Sequence, residues 1–198
     1  MPLFKRKPPS NAEKEQLKMK GTLLQQQGEE RRRSLDLEGA LDFYEQALKV
    51  FRQAGEPLAI GRVVQGKGMI HRDLKQFKKA EKCLYEALDI FESIYDAKRQ
   101  GTTYDRLGTT YYMMGDNRRS AEMYLKAGEV LTSCGAYEDA VLANTAGASL
   151  EIESGQAARA ETRLRETLDM IQAHDIRREG PHVNYVLGLS LVKQGKTD

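Results

Sequence analysis

The sequence predicts an all-α protein, a right-handed α-solenoid of stacked antiparallel helix pairs. Three observations predict it. A period of 40 residues runs along the chain without a gap. Within each period the apolar residues step by threes and fours, the spacing of one helix face. Turn residues then separate these apolar segments at regular places.

The period is visible in several columns at once. Gly28, Gly68, Gly108 and Gly188 are spaced by multiples of 40, and Ala148 fills the missing slot. A small residue follows 12 positions later at Ala40, Ala80, Ser120 and Ala160. A large one comes four further on, at Tyr44, Leu84, Tyr124 and Leu164. Ala47, Ala87, Ala127 and Thr167 then hold one column, and Phe51, Phe91, Leu131 and Ile171 another. Small residues let two helices approach, and large ones fill the space between them. One pair cannot bury its stripe alone, so the pairs must stack.

Taken in order, residues 13–33 read as the first helix of the first repeat. Residues 37–54 read as its second helix, with Leu37, Ala40, Tyr44, Ala47, Leu48 and Phe51 on one stripe. Gly55-Glu56-Pro57 ends that pair. Segments 58–73 and 77–94 form the next, separated by Asp73-Leu74-Lys75, and Phe77, Ala80, Leu84, Ala87, Leu88 and Phe91 repeat the stripe. Segments 98–114 and 118–133 flank Gly115-Asp116-Asn117, and 138–154 and 157–173 flank Gly155. Gly180-Pro181 precedes a last first helix over 180–194. No segment has the alternation of a strand, and there is no Trp, so a blade-type β repeat is rejected. The expected layout is a flexible basic tail over 1–12 and an array over 13–198. Its repeats lie near 21–60, 61–100, 101–140 and 141–180, with a half repeat over 181–198.

The third repeat carries Tyr104-x-x-Leu107-Gly108-x-x-Tyr111, then Gly115, Ser120, Tyr124 and Ala127. This resembles the tetratricopeptide pattern, whose usual length is about 34 residues. At 40 residues it is similar to the long-helix variety of kinesin light chains and LGN-type adaptors. HEAT-type pairs do not place Leu-Gly and Ala at these offsets. The resemblance covers about residues 21–198 and implies a scaffold fold. There are departures. The fourth repeat has Asn144 and Glu151 where large residues belong, which predicts looser packing. Arg31 and His71 stand in the column of Tyr111.

Composition bounds the rest. The chain is 40% hydrophobic and 30% charged, and lacks any apolar run long enough to span a membrane. The basic N-terminus leads into polar Asn11–Lys20 rather than an apolar stretch, so the expected setting is cytoplasmic. Net charge is +2. Nine Lys/Arg against four Glu over residues 1–34 make the beginning basic and the body mildly acidic. Cys83 and Cys134 stand far apart, giving neither a disulfide framework nor zinc spacing.

Catalytic chemistry finds no foothold. His71 sits at a packing position, and His174 and His182 flank a turn. Gly66-Lys67-Gly68 lies inside a helix and is not a phosphate loop, and Gly68 reads as a close-packing residue. Cys83 reads as a helix-packing residue. No enzyme activity, cofactor or metal is expected.

The resemblance implies that first helices line a concave groove where partners bind. Its groove columns fall on Gln25, Glu29, Arg32, Arg33, Arg62, Gln65, Met69, Arg72, Asp105, Arg106, Thr109, Tyr112 and Met113. Later they fall on Leu142, Thr145, Ile152, Tyr185, Val186, Leu189 and Val192. The early part is Arg-rich and suits carboxylates; the late part is apolar. A peptide or helix with acidic residues at one end and hydrophobic anchors at the other fits both. The alternative is that the arginines are solvated and paired with Glu. The carboxylate clamp of chaperone-binding relatives has Lys and Asn where this chain has Gln25, Glu29, Gln65 and Met69, so no heat-shock chaperone partner is expected.

The leading expectation is a protein-interaction scaffold or adaptor. The competing one is RNA binding through the basic N-terminal region and Arg31-Arg32-Arg33, which the small net charge and few groove aromatics disfavour. Leu187, Gly188 and Leu191 sit in columns that pack under a second helix, absent after the last repeat. They predict a terminal cap, or alternatively the face of a homodimer.

Overall fold

The computed structural model describes residues 9–196. Most of the expected tail, residues 1–8, lies outside the described residues. Among the described residues there are nine helices and no strand: α1 (Asn11–Arg33), α2 (Leu37–Ala54), α3 (Pro57–Asp73), α4 (Phe77–Ser93), α5 (Ala97–Met113), α6 (Asn117–Ser133), α7 (Tyr137–Glu153), α8 (Ala157–Ala173) and α9 (Gly180–Lys193). The helix ends differ from the expected ones by at most two residues. Helix α1 starts at a capping box, in which Ser10 accepts from the Glu13 amide and Glu13 accepts from the Ser10 amide.

The turns reveal a finer period. Residues in the left-handed region recur every 20 positions: Leu35, Gly55, Lys75, Tyr95, Gly115, Gly135, Gly155, Asp175 and Gly195. The amide after most of these donates back to the carbonyl five residues earlier, as in Asp116 to Tyr111 at 2.9 Å and Ala136 to Leu131 at 2.9 Å. This is the Schellman closure, which satisfies carbonyls the helix leaves open. It needs a positive φ, which glycine adopts freely and a side chain adopts at about 1–2 kcal/mol. Helices α3 to α8 accordingly have 17 residues each and alternate with three-residue links.

The chain divides into an N-terminal unit, residues 1–94, and a C-terminal unit, residues 95–198. In the N-terminal unit α1 packs on α2, α2 on α3, and α3 on α4. The glycine column is the point of closest approach. A Cβ at Gly28 would stand 2.5 Å from the Tyr44 ring, and one at Gly68 would stand 2.9 Å from Leu84. A second column does the same about two turns earlier: a Cβ at Gly21 would stand 2.6 Å from Phe51, and one at Gly61 2.6 Å from Phe91. Tyr44, Phe51, Leu84 and Phe91 are buried, each contributing about 1.5–3 kcal/mol of hydrophobic stabilisation.

In the C-terminal unit α5 to α9 pack consecutively. Gly101 meets Leu131 at 2.6 Å and Gly108 meets Tyr124 at 2.8 Å. The fourth repeat departs from expectation here. Glu151 is 3% exposed and takes the column of Tyr111, where Arg163 donates to it at 3.2 Å. Asn144 fits against Gly128, where a Cβ would overlap its Oδ1. An ion pair and an amide thus fill the space assigned to large side chains.

Helix α9 is fixed to α8. Leu187 is buried, and Leu191 packs against the same core cluster as Leu164. The Ser190 hydroxyl donates to the Ala157 carbonyl at 2.7 Å. Gln194 and Lys196 donate to Glu161 at 3.0 and 2.8 Å. Leu187 and Leu191 therefore find cover without a further helix. Gly188 keeps the open slot: nothing lies within 4 Å of a Cβ there.

Candidate functional site

In the N-terminal unit, first helices α1 and α3 form the walls of a cleft of about 830 Å³. Gln25, Glu29 and Arg33 project from α1, Leu58 and Arg62 from α3, and Phe51 lies at the floor. Glu29 is already committed. It accepts from the buried Tyr44 hydroxyl and from Arg32, whose Nε and terminal nitrogen both lie 3.1 Å away. Burial, then the Glu29 carboxylate, push the Tyr44 phenol above its ordinary pKa. Burial works against the Arg32 charge, but Glu29 outweighs it and raises that pKa.

Arg62 is exposed on the cleft wall, and neither it nor Arg33 forms an ion pair with a described carboxylate. These two guanidiniums are available to a ligand. Gln65 and Met69 follow along α3, half-buried. Arg72 differs. Asp73 holds its Nε at 3.0 Å and a terminal nitrogen at 2.8 Å, and its side chain is 16% exposed.

In the C-terminal unit Asp105, Arg106 and Thr109 are half-buried on α5, and the Thr109 hydroxyl lies 3.1 Å from the Tyr124 hydroxyl. Tyr112, Met113, Leu142, Tyr185, Leu189 and Val192 are exposed large hydrophobic residues, all on the first helices α5, α7 and α9. Elsewhere in this unit the described residues offer only Tyr95, in a turn. Three expected groove residues are corrected: Thr145, Ile152 and Val186 are buried. Thr145 turns its hydroxyl to the Val141 carbonyl at 2.7 Å, and Ile152 and Val186 join the core between α7, α8 and α9.

His71 lies 3.0 Å from Gln76, and burial, aided by Lys79 and Lys67, lowers its pKa. His174 is exposed and stacks on Tyr137 with centroids 3.5 Å apart, and His182 is exposed within α9. Burial pushes the Cys83 thiol up, away from thiolate chemistry. Lys67 donates to Glu45 rather than framing a phosphate loop, and Gly68 packs on Leu84. Among the described residues no group of three or more His, Cys, Asp or Glu could hold a metal, and no helix is long and apolar enough to cross a membrane.

Sequence reasoning passed over Leu58 and Phe51 as cleft residues. It also passed over the lysines around the start of α4, although Lys75, Lys78, Lys79 and Lys82 stand together in the sequence.

Residues 62–133 match the model of the tetratricopeptide repeat family. Residues 62–133 thus carry the tetratricopeptide pattern, and the fold is an all-α helical repeat similar to solved structures of that type. A putative kinesin light chain from Podosopora anserina with nearly identical TPR-like repeats superposes with a TM-score of 0.69 at 11% identity, over 92% of this chain and 89% of that one. BtubC (BKLC) from P. vanneervenii gives 0.69 at 20% identity, over 87% and 68%. The Rap conjugation gene regulator of the plasmid pLS20, solved in complex with the Phr* peptide, gives 0.62 at 14% identity, over 100% and 55%. The chain thus spans about half the length of that regulator. No curated protein matches the sequence.

Proposed function

We propose that the protein is an interaction adaptor whose first-helix faces hold a peptide segment of a partner. The observation that carries this reading is the placement of the exposed hydrophobic side chains in the C-terminal unit. Tyr112, Met113, Leu142, Tyr185, Leu189 and Val192 all stand on first helices. Exposed apolar side chains gathered on one class of helix mark a contact surface, whereas scattered ones would not. The cleft between α1 and α3 supplies the polar counterpart. Arg33 and Arg62 are free there, and fork-shaped donors suit a carboxylate. The Rap regulator, which shares the fold, was solved with a peptide, and that ligand class is the one we assign. The cleft suits a segment with acidic residues, and the α5, α7 and α9 faces suit a segment with aromatic or aliphatic anchors.

Selection from a displayed random-peptide library tests this. Wild-type protein should enrich acidic peptides and, separately, peptides with aromatic or aliphatic anchors. Arg33→Glu with Arg62→Glu, and separately Tyr112→Ser with Leu142→Ser, should each weaken the selected peptides about tenfold or more, the scale of an interface anchor. Failure to enrich any peptide, or equal binding by all three proteins, would reject the reading.

A further inference from the structure

Helix α4 is charged against its own dipole. The amino end of a helix favours carboxylates and the carboxyl end favours cations. Helix α2 obeys, with Asp36 capping its start and Arg52 in its last turn. Helix α6 begins with Arg118 and Arg119, but Asp116 caps it and pairs with Arg119 at 2.6 Å, and Glu122 pairs with Arg118 at 3.3 Å. Helix α4 has no side-chain cap and no acidic residue in its first turn. Lys78 and Lys79 stand there instead, with Lys82 in the second turn and Lys75 in the turn before, while Glu86, Asp89 and Glu92 lie further along the helix.

All four lysines are exposed, and none pairs with a described carboxylate. Of the two nearest acids in sequence, Asp73 is held by Arg72 and Glu81 is half-buried. Lys75 is unfavourable in a second way. It occupies the left-handed turn position filled by Gly115, Gly155 and Gly195 in later repeats, and holds φ at 58°. Backbone strain and a concentration of like charge therefore coincide at one corner of the N-terminal unit.

We propose that Lys75, Lys78, Lys79 and Lys82 form a docking surface for an acidic, carboxylate-rich segment of a partner protein. The surface lies on a turn and a second helix and does not depend on the first-helix reading above. Within the stretch 75–82 the cations are all lysines and no aromatic side chain is exposed, so attraction there is through charge rather than base stacking. No large apolar side chain is exposed within the stretch 75–82 to enter a bilayer. Those two facts favour a flexible acidic protein segment over nucleic acid or membrane.

The test uses the full chain and three probes: fluorescein-labelled decaglutamate, a 20-nucleotide RNA, and vesicles of phosphatidylserine and phosphatidylcholine. Anisotropy should show decaglutamate binding that fades with salt. Lys78→Glu, Lys79→Glu, Lys82→Glu should weaken it about tenfold or more. Lys14→Glu, Lys49→Glu, Lys193→Glu, with the same change in net charge, should leave it unchanged. The first triple variant should melt no lower than wild type, because carboxylates suit the start of α4. Lys75→Gly should melt higher and bind about two- to threefold more weakly, which keeps the test decisive should the triple variant misfold. The proposal is overturned if decaglutamate does not bind or if both triple variants lose it equally. It is overturned too if the first triple variant loses only RNA or vesicle binding.

Discussion

The N-terminal unit buries an apolar core and spreads its exposed large apolar side chains over first helices, a turn and a second helix, beside uncommitted charges. The C-terminal unit admits polar groups to its core and leaves large apolar side chains on its surface. Tyr44, Phe51 and Phe91 wedge against glycines in the first, while Arg33, Arg62 and the α4 lysines stand unpaired on its exterior. In the second, Thr103, Thr110, Thr145, Glu151 and Ser190 are buried, and hydrophobic residues from Tyr112 to Val192 line the first helices. Both units follow one 40-residue template. The template therefore constrains only the columns where helices approach most closely, and the remaining positions can be spent on contact with other molecules.

The largest expected effect falls on the buried ion pair, the feature that most separates the units. Arg163→Ala leaves Glu151 charged and buried without its partner, and should cost about 3–5 kcal/mol in a urea titration. The double change Glu151→Leu, Arg163→Met should recover most of that loss. Equal instability of the two would mean the polar core is not an exchangeable choice.

Next comes the shared glycine column. Gly28→Ala drives a methyl into the buried Tyr44 ring and should destabilise by about 1–3 kcal/mol. A neutral result would show that the N-terminal wedge is loosely packed.

The acid limb of stability sharpens the comparison at the far end of the chain. Hydrogen bonds from Lys196, Arg165 and Gln194 hold the Glu161 carboxyl down to about 2. A lowered folded-state pKa contributes stability that is complete above the unfolded value and fades as pH falls. Wild type should therefore lose stability relative to Glu161→Gln between about pH 4.5 and 2. Parallel melting curves across that window would remove the clasp as a source of stability. The smallest effect is Gly188→Ala. With no atom in the way, it should stabilise by about 0.5–1 kcal/mol, the ordinary helix preference.

Much of this was legible beforehand. The columns of Gly28, Ala40 and Tyr44 are set by close packing, which repeats in every pair and so leaves a period in the sequence. The column of Gly21, Gly61 and Gly101 obeys the same physics but breaks off at Val141 and Pro181, and it was overlooked. The 20-residue turn period was hidden because Leu35, Lys75, Tyr95 and Asp175 do not look like turn glycines. Thr145, Ile152 and Val186 were assigned to the groove by position counting. Neighbouring positions differ by about 100° around a helix, so one step across the rim turns an exposed side chain into a buried one. The free or committed state of an arginine was out of reach: Arg72 and Arg62 look alike until Asp73 is seen to hold the former.

The left-handed residues every 20 positions set the rules by which such a chain can be edited. Excising residues 36–75 would join Leu35 to Gln76, so that one Schellman closure succeeds another and a second helix still follows a first. Excising 20 residues would preserve the joint but leave two first helices in succession, glycine column against glycine column. The grammar of the chain is thus counted in pairs, and whole pairs are the currency in which it can grow or shrink.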